Sequence, residues 1–233
     1  GQTGFRTRFI GPQPVSMSVE NLITSKGLKK EHPNIYDTDY LVTEKADGER
    51  YLLFIHSNGY GYLFNNKHRT NEIINTGVKF PSKYHYWIMD GEYITQLKNQ
   101  ESVKKFFIFD IYYATKEKTI GDTLSLTKAL TDTPQDEMSI IEVFKQRWIA
   151  SKTSPGRSHY INDFMKYINS NLTFSSLQIE ISKKNYVNVI GNSYKAAKFK
   201  LDKINSTSKE SMFQYETDGL IFMPMKFPVN SLE

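Results

Sequence analysis

The stretch Tyr40-Leu-Val-Thr-Glu44-Lys45-Ala46-Asp47-Gly48-Glu49-Arg50-Tyr51-Leu-Leu-Phe-Ile55 sets an apolar, β-branched and aromatic run on either side of a charged hexapeptide. Runs of this composition, bounded by turn residues, read as strands. The polar turn Ser57-Asn58-Gly59 and the run Tyr60-Gly-Tyr-Leu-Phe64 extend the pattern, and Tyr84 to Tyr93 and Phe106 to Tyr113 are two more strand candidates. Upstream, Ser18 can cap a helix carrying Glu20, Leu22, Ile23 and Leu28, interrupted by Gly27 and Pro33. Helical spacing takes over after Gly121, with Met138, Ile141, Phe144 and Trp148 on one stripe and Ile161, Phe164, Met165 and Ile168 on another. Such stripes are core faces first. Leu177 to Ser182 alternates as a strand, Ser193 to Asn205 reads as a Lys-rich helix, and Asp218 to Met223 as a final short buried strand. Strands followed by helices and more strands predict an α+β fold.

The chain has 233 residues, 39% hydrophobic and 14% aromatic, enough for a packed core and too much for general disorder. We expect one domain over residues 1–233. Its 30 Lys+Arg against 25 Asp+Glu give a formal charge of +5, a mild pointer to a polyanionic partner. With no cysteine, disulfide scaffolds, thiol nucleophiles and thiolate zinc sites are all excluded. No apolar run approaches a membrane span, so no membrane partner is expected. The segment Gly1 to Phe9 carries two arginines without an apolar h-region, unlike a signal peptide.

The hexapeptide Lys45-Ala46-Asp47-Gly48-Glu49-Arg50 brings a lysine, a carboxylate and an arginine together around a glycine that permits a tight turn. A lysine that attacks phosphorus must first lose its proton, by burial or beside cations such as Arg50 and a metal. Asp47 and Arg50 are then placed to orient a ribose and a phosphate. The plain alternative is a solvated hairpin turn, for which Asp-Gly is the commonest signal. Average composition puts Lys-x-Asp-Gly-x-Arg in roughly one chain of this length in a few hundred, which weighs against a bare turn.

Two further Asp-Gly pairs border apolar strands, in Trp87-Ile-Met-Asp90-Gly91-Glu92-Tyr93 and in Glu216-Thr-Asp218-Gly219-Leu-Ile-Phe222. Charges at the ends of buried strands are costly unless paired or metal-bound, so Glu92, Glu216 and Asp218 are candidates for holding Mg²⁺ or a nucleotide. In Phe106-Phe-Ile-Phe109-Asp110-Ile-Tyr-Tyr113 a lone acid sits inside an aromatic strand. A satisfied core carboxylate is the favoured reading of Asp110, and Phe109 is available to stack on a purine.

The ordered set Glu44-Lys45-x-Asp47-Gly48-x-Arg50, Asp90-Gly91-Glu92, Phe109-Asp110 and Glu216-x-Asp218-Gly219-Leu220-Ile221-Phe222 resembles the motif series of the covalent nucleotidyltransferases, mRNA capping enzymes and polynucleotide ligases. Gly11-Pro12-Gln13-Pro14-Val15-Ser16-Met17 and Phe80-Pro81 are similar to segments of capping guanylyltransferases, and the first is lacking in ligases. The resemblance implies a fold of antiparallel sheets flanked by helices. It also implies that Lys45 attacks GTP, releases pyrophosphate, and passes the bound GMP to the 5′-diphosphate end of RNA. Glu44, Asp47, Gly48, Arg50, Glu92, Phe109, Lys184 and Ile221 are then the nucleotide contacts, with Phe109 and Ile221 sandwiching the base. Glu92, Glu216 and Asp218 would serve Mg²⁺ or Mn²⁺. Lys184, in Lys184-x-Tyr186, resembles an element that contacts guanine, and Lys183 is an equally close neighbour.

The family continues after such a strand to a Lys-x-Lys element and an OB-fold, whereas here Met223-Pro-Met-Lys226 leads to Glu233 without a second lysine at that spacing. The expectation is a core excised before the OB-fold. The section from Ile120 to Thr173, rich in Lys and Asn, is similar to capping proteins of large DNA viruses, in which triphosphatase and methyltransferase domains flank the core. That implies an intracellular protein, cytoplasmic or virion-borne if viral and nuclear if cellular. The competing readings are an ATP-dependent RNA or DNA ligase and a noncatalytic nucleotide- or partner-binding module. The lysines of the helix around Lys195, Lys198, Lys200 and Lys203 either touch phosphates or are simply solvated.

Overall fold

The computed structural model describes residues 14–27, 32–65, 72–114, 156–189, 191–206 and 213–225. Among these are eight strands, β1 (Tyr40–Ala46), β2 (Glu49–Ile55), β3 (Tyr60–Asn65), β4 (Glu72–Lys79), β5 (Ile88–Gln96), β6 (Ser102–Tyr113), β7 (Glu180–Lys183) and β8 (Thr217–Pro224). Two α-helices join them, α1 (Arg157–Asn171) between β6 and β7 and α2 (Ser193–Ile204) between β7 and β8. The α+β expectation holds.

The strands form two sheets. One has six strands in the order β4-β3-β2-β5-β6-β7, the other pairs β1 with β8. All pairings are antiparallel except β6 with β7, whose parallel register is allowed because α1 supplies the crossover. α1 lies against β6 and β7. Its expected stripe, Ile161, Phe164, Met165 and Ile168, is buried in one cluster with Met89, Phe106 and Ile108. α2 covers one face of the smaller sheet by packing Ala196 and Ala197 on Val42.

Strands β1 and β2 lie in different sheets, so the charged hexapeptide is not a hairpin turn but the point where the chain crosses between them. Gly48 is not needed there for a left-handed conformation. A Cβ at that position would lie 2.8 Å from the carbonyl oxygen of Tyr93 and 2.9 Å from Cγ of Glu92, so the glycine permits close approach to β5. Several boundaries also differ from expectation. The segment after Ser18 forms a short 3-10 turn, Val19–Leu22, with no buried residue: Val19, Leu22 and Ile23 stay exposed, and without packing so short a helix does not extend. β5 begins at Ile88 rather than near Tyr84, which sits in a preceding 3-10 turn and packs against Trp87 and Phe164. β4 was not anticipated; its polar alternation suits an edge strand, with Thr76 and Val78 turned inward. β8 is only half-buried along most of its length, since α2 covers a single face. The stripe at Met138 to Trp148, the segment Gly11 to Gln13 and Lys226 lie outside the described residues.

Asp110 is the satisfied core carboxylate that its position suggested. Arg157, fully buried in the first turn of α1, donates from Nε to Asp110 Oδ1 at 2.8 Å. A cation at a helix N-terminus is unfavourable, so Asp110 is what makes that placement tolerable. We predict that Asp110→Ala costs about 3–5 kcal/mol of unfolding free energy, because it strands a buried guanidinium, while adding Arg157→Met recovers most of the loss. Urea unfolding of the single and double variants checks this; a double variant no more stable than Asp110→Ala overturns it.

Candidate active site

The three Asp-Gly corners converge. Lys45 Nζ is ion-paired with Asp218 Oδ2. The N–H of Asp47 donates to the carbonyl of Glu216 at 2.9 Å, and Gly48 rests on Glu92 and Tyr93 of β5. The aim of the Lys45–Asp218 pair comes from backbone register. Between the partners Glu44↔Leu220 and Ala46↔Thr217, β1 supplies Lys45 alone while β8 supplies both Asp218 and Gly219. That extra residue is a β-bulge, and Gly219 carries its unusual φ of +139°. Lys45 and Asp218 are left half-exposed, at 48% and 54%. The amine is therefore not buried in the way the sequence alone had suggested for its activation.

Arg50 instead faces Asp90. Its Nε donates to Asp90 Oδ1 at 3.0 Å, and its Nη2 to Asp90 Oδ2 and, at 3.0 Å, to the Tyr112 hydroxyl. Tyr112 in turn donates to Asp90 Oδ2. Burial pushes the Asp90 carboxyl up, and the guanidinium opposes it. The guanidinium carbon lies 5.6 Å from the centre of the Phe109 ring, so the two are neighbours. Glu92 pairs with Arg50 across β5 and β2. Burial pushes its carboxyl up to about 7, helped by the charge of Asp90 and opposed by Lys184, Arg50 and Lys45.

Behind β1 lies a closed ionic node. Side chains alternate along a strand, so Glu44 points away from Lys45, and it is 1% exposed. Its carboxylate accepts from Lys184 at 3.2 Å, Lys200 at 3.1 Å, the Tyr215 hydroxyl at 2.7 Å and the Thr43 hydroxyl at 2.9 Å. Burial pushes the Lys184 ammonium down while Glu44 pulls it back up.

The expected nucleotide contacts thus divide. Lys45, Asp47, Gly48, Arg50, Glu92 and Asp218 gather at the corner. Phe109 lines a small cleft with Leu41, Lys183, Asn185, Tyr186 and Met223. Ile221 and Tyr186 both pack against the cluster of Leu41, Met223 and Met225, and the Tyr186 hydroxyl donates to the Phe109 carbonyl at 2.9 Å. Glu44 is placed on the opposite face with four protein donors. Lys184 Nζ lies on Glu44; Lys183 Nζ reaches Asn162 Oδ1 on α1 instead. Lys200 belongs to the buried node and not to a solvated helix face. Glu216 is exposed at the start of the corner. Among the described residues no three acids gather closely enough to hold a metal by themselves. Sequence reasoning missed Asp90 and Tyr112 as partners of Arg50, and the only signal for them was Asp90 standing beside Gly91.

Two outcomes follow from this geometry. Gly48→Ala should cost about 1–3 kcal/mol by chemical denaturation, since the Cβ meets a backbone carbonyl that cannot step aside; an unchanged midpoint overturns the close-approach role. Glu92 holds its proton up to about 7 when folded against 4.5 unfolded, so its contribution to stability is full below pH 4.5 and is lost as pH rises through 7. Wild type should therefore lose stability relative to Glu92→Gln across that window and run parallel to it above. Urea midpoints of both proteins at several pH values read this directly, and a constant difference overturns it.

Comparison with known families agrees with the motif order. No curated protein sequence matches the chain. A family model described as mRNA capping enzyme, catalytic domain, matches residues 3–132, more than half of the 233. That span holds Lys45, Arg50, Asp90, Glu92 and Phe109, and the fold then delivers Asp218 from far beyond it. The chain belongs to the family of mRNA capping enzyme catalytic domains.

Proposed function

We propose that this domain is an mRNA guanylyltransferase that works through a covalent lysyl-GMP. The reading is carried by one observation, the accessible amine of Lys45 held by Asp218 where the three Asp-Gly corners meet. Lys45 Nζ, after yielding one proton to Asp218, forms a bond to the α-phosphorus of GTP and releases a second proton to solvent. The bond to the bridging oxygen breaks, and pyrophosphate leaves with the electron pair. A β-phosphate oxygen of the RNA 5′-diphosphate then attacks the same phosphorus, the N–P bond breaks as the nitrogen takes up a proton, and a second proton returns Lys45 to its ammonium form. Most of the acceleration comes from alignment and charge neutralisation, as in other phosphoryl transfers.

Arg50 contacts the ribose or a phosphate, Glu92 the ribose, and Phe109 with Ile221 the faces of the guanine. Asp218, Glu216 and Glu92 are oxygen donors of the kind that would hold Mg²⁺ or Mn²⁺ together with a bound nucleotide, since among the described residues they do not form a cage by themselves. When bound, the metal offsets charge on the departing pyrophosphate. Half-exposure of Lys45 suits this chemistry, since the nucleotide itself displaces the water around the amine.

Incubation with each of the four nucleoside triphosphates and Mg²⁺, followed by intact-mass analysis, tests the proposal. GTP alone should leave a covalent GMP, and Lys45→Ala and Lys45→Arg should both abolish it, because a guanidinium cannot serve as the nucleophile. An adduct surviving both substitutions overturns the assignment of Lys45, and labelling by ATP instead of GTP assigns the domain to ligase chemistry.

A further inference from the structure

We infer that the Tyr112 hydroxyl is a positioning group for Arg50, fixing the guanidinium in the orientation in which it meets the nucleotide. This rests on the nucleotidyl transfer proposed above. Arg50, Asp90 and Tyr112 come from three neighbouring strands, β2, β5 and β6. Asp90 holds Arg50 by two hydrogen bonds, one to Nε and one to Nη2. A two-point contact of this kind aligns the edge of the fork with the carboxylate, and a further polar partner adds to that restraint. The Tyr112 hydroxyl is a third polar partner at the Nη2 end of the fork. It accepts from Nη2 at 3.0 Å and donates to the same Asp90 oxygen, so its single proton and an acceptor lone pair are both used.

The surroundings keep that hydroxyl in service. Burial, with the charge of Asp90 behind it, holds the phenol protonated throughout the ordinary pH range, so it does not stop donating as conditions change. Asp90 is fully buried, whereas Arg50 retains 19% exposure. The anchor is thus dry, the tyrosine is only partly buried, and the arginine reaches outward beside the Phe109 ring. The tyrosine ring itself could be replaced by phenylalanine with little change in packing. Only the oxygen bears on Arg50.

Tyr112→Phe separates positioning from support of the fold. The urea midpoint should stay close to wild type, while KM for GTP in adduct formation rises about ten- to a hundredfold, the range expected for one hydrogen bond to a charged group. In an Arg50→Lys background, where there is no fork to orient, adding Tyr112→Phe should change KM by less than twofold. A purely structural tyrosine would move KM equally in both backgrounds. That equality overturns the inference, and so does an unchanged KM in the wild-type background. If wild-type protein forms no adduct with any nucleoside triphosphate, the functional reading fails and this inference falls with it. If the adduct forms and the two backgrounds behave alike, the inference alone fails.

Discussion

One buried carboxylate determines where the rest of the site stands. Glu44 draws a lysine from α2, a lysine from just beyond β7, and a tyrosine from the approach to β8 onto two oxygens. Taking a carboxylate and two ammoniums out of water costs several kcal/mol per ion unless geometry and further hydrogen bonds offset it. Such a node tolerates little displacement, so it fixes β1 relative to three segments at once. Lys45, the next residue along, inherits that fixed position on the opposite face. The closed ionic side and the open reactive side of β1 are thus one construction seen from two directions.

The reactive side follows a different rule. Its anchors are buried and its working atoms are accessible: Asp90 behind Arg50, β5 behind Gly48, the node behind Lys45. Rigid, dry support beneath a wet surface is what a group needs if it must be aimed before a substrate arrives. Glu92 sits at the boundary between the two zones, and its burial is why its proton is held so tightly for a carboxyl.

Much of this was legible in the chain. The apolar runs around the hexapeptide, the aromatic strand at Phe106 to Tyr113 and the stripe of α1 all express local periodicities, and those survive folding. The glycine-acid pairs were legible as a set because their chemistry is unusual beside strands. What could not be read depends on register across long separations. Lys200 meets Glu44 from 156 residues away and Tyr112 meets Arg50 from 62, and neither pairing leaves a local trace. Glu44 was grouped with the nucleotide contacts because it stands in the motif with Lys45, although strand alternation already implied that neighbours face opposite ways. Gly48 was read as a turn residue because glycine signals flexibility and close approach with the same letter. β4 escaped notice because an edge strand is polar by necessity.

The bulge at Gly219 carries a consequence of its own. Since side chains alternate strictly along a strand, the extra residue in β8 is what lets the acid before it share a face with the amine while the apolar residues after it keep theirs. Shortening or lengthening that loop of register by a single codon would turn either the acid or the apolar half of β8 the wrong way. The length of this segment is accordingly as much a part of the site as any side chain in it.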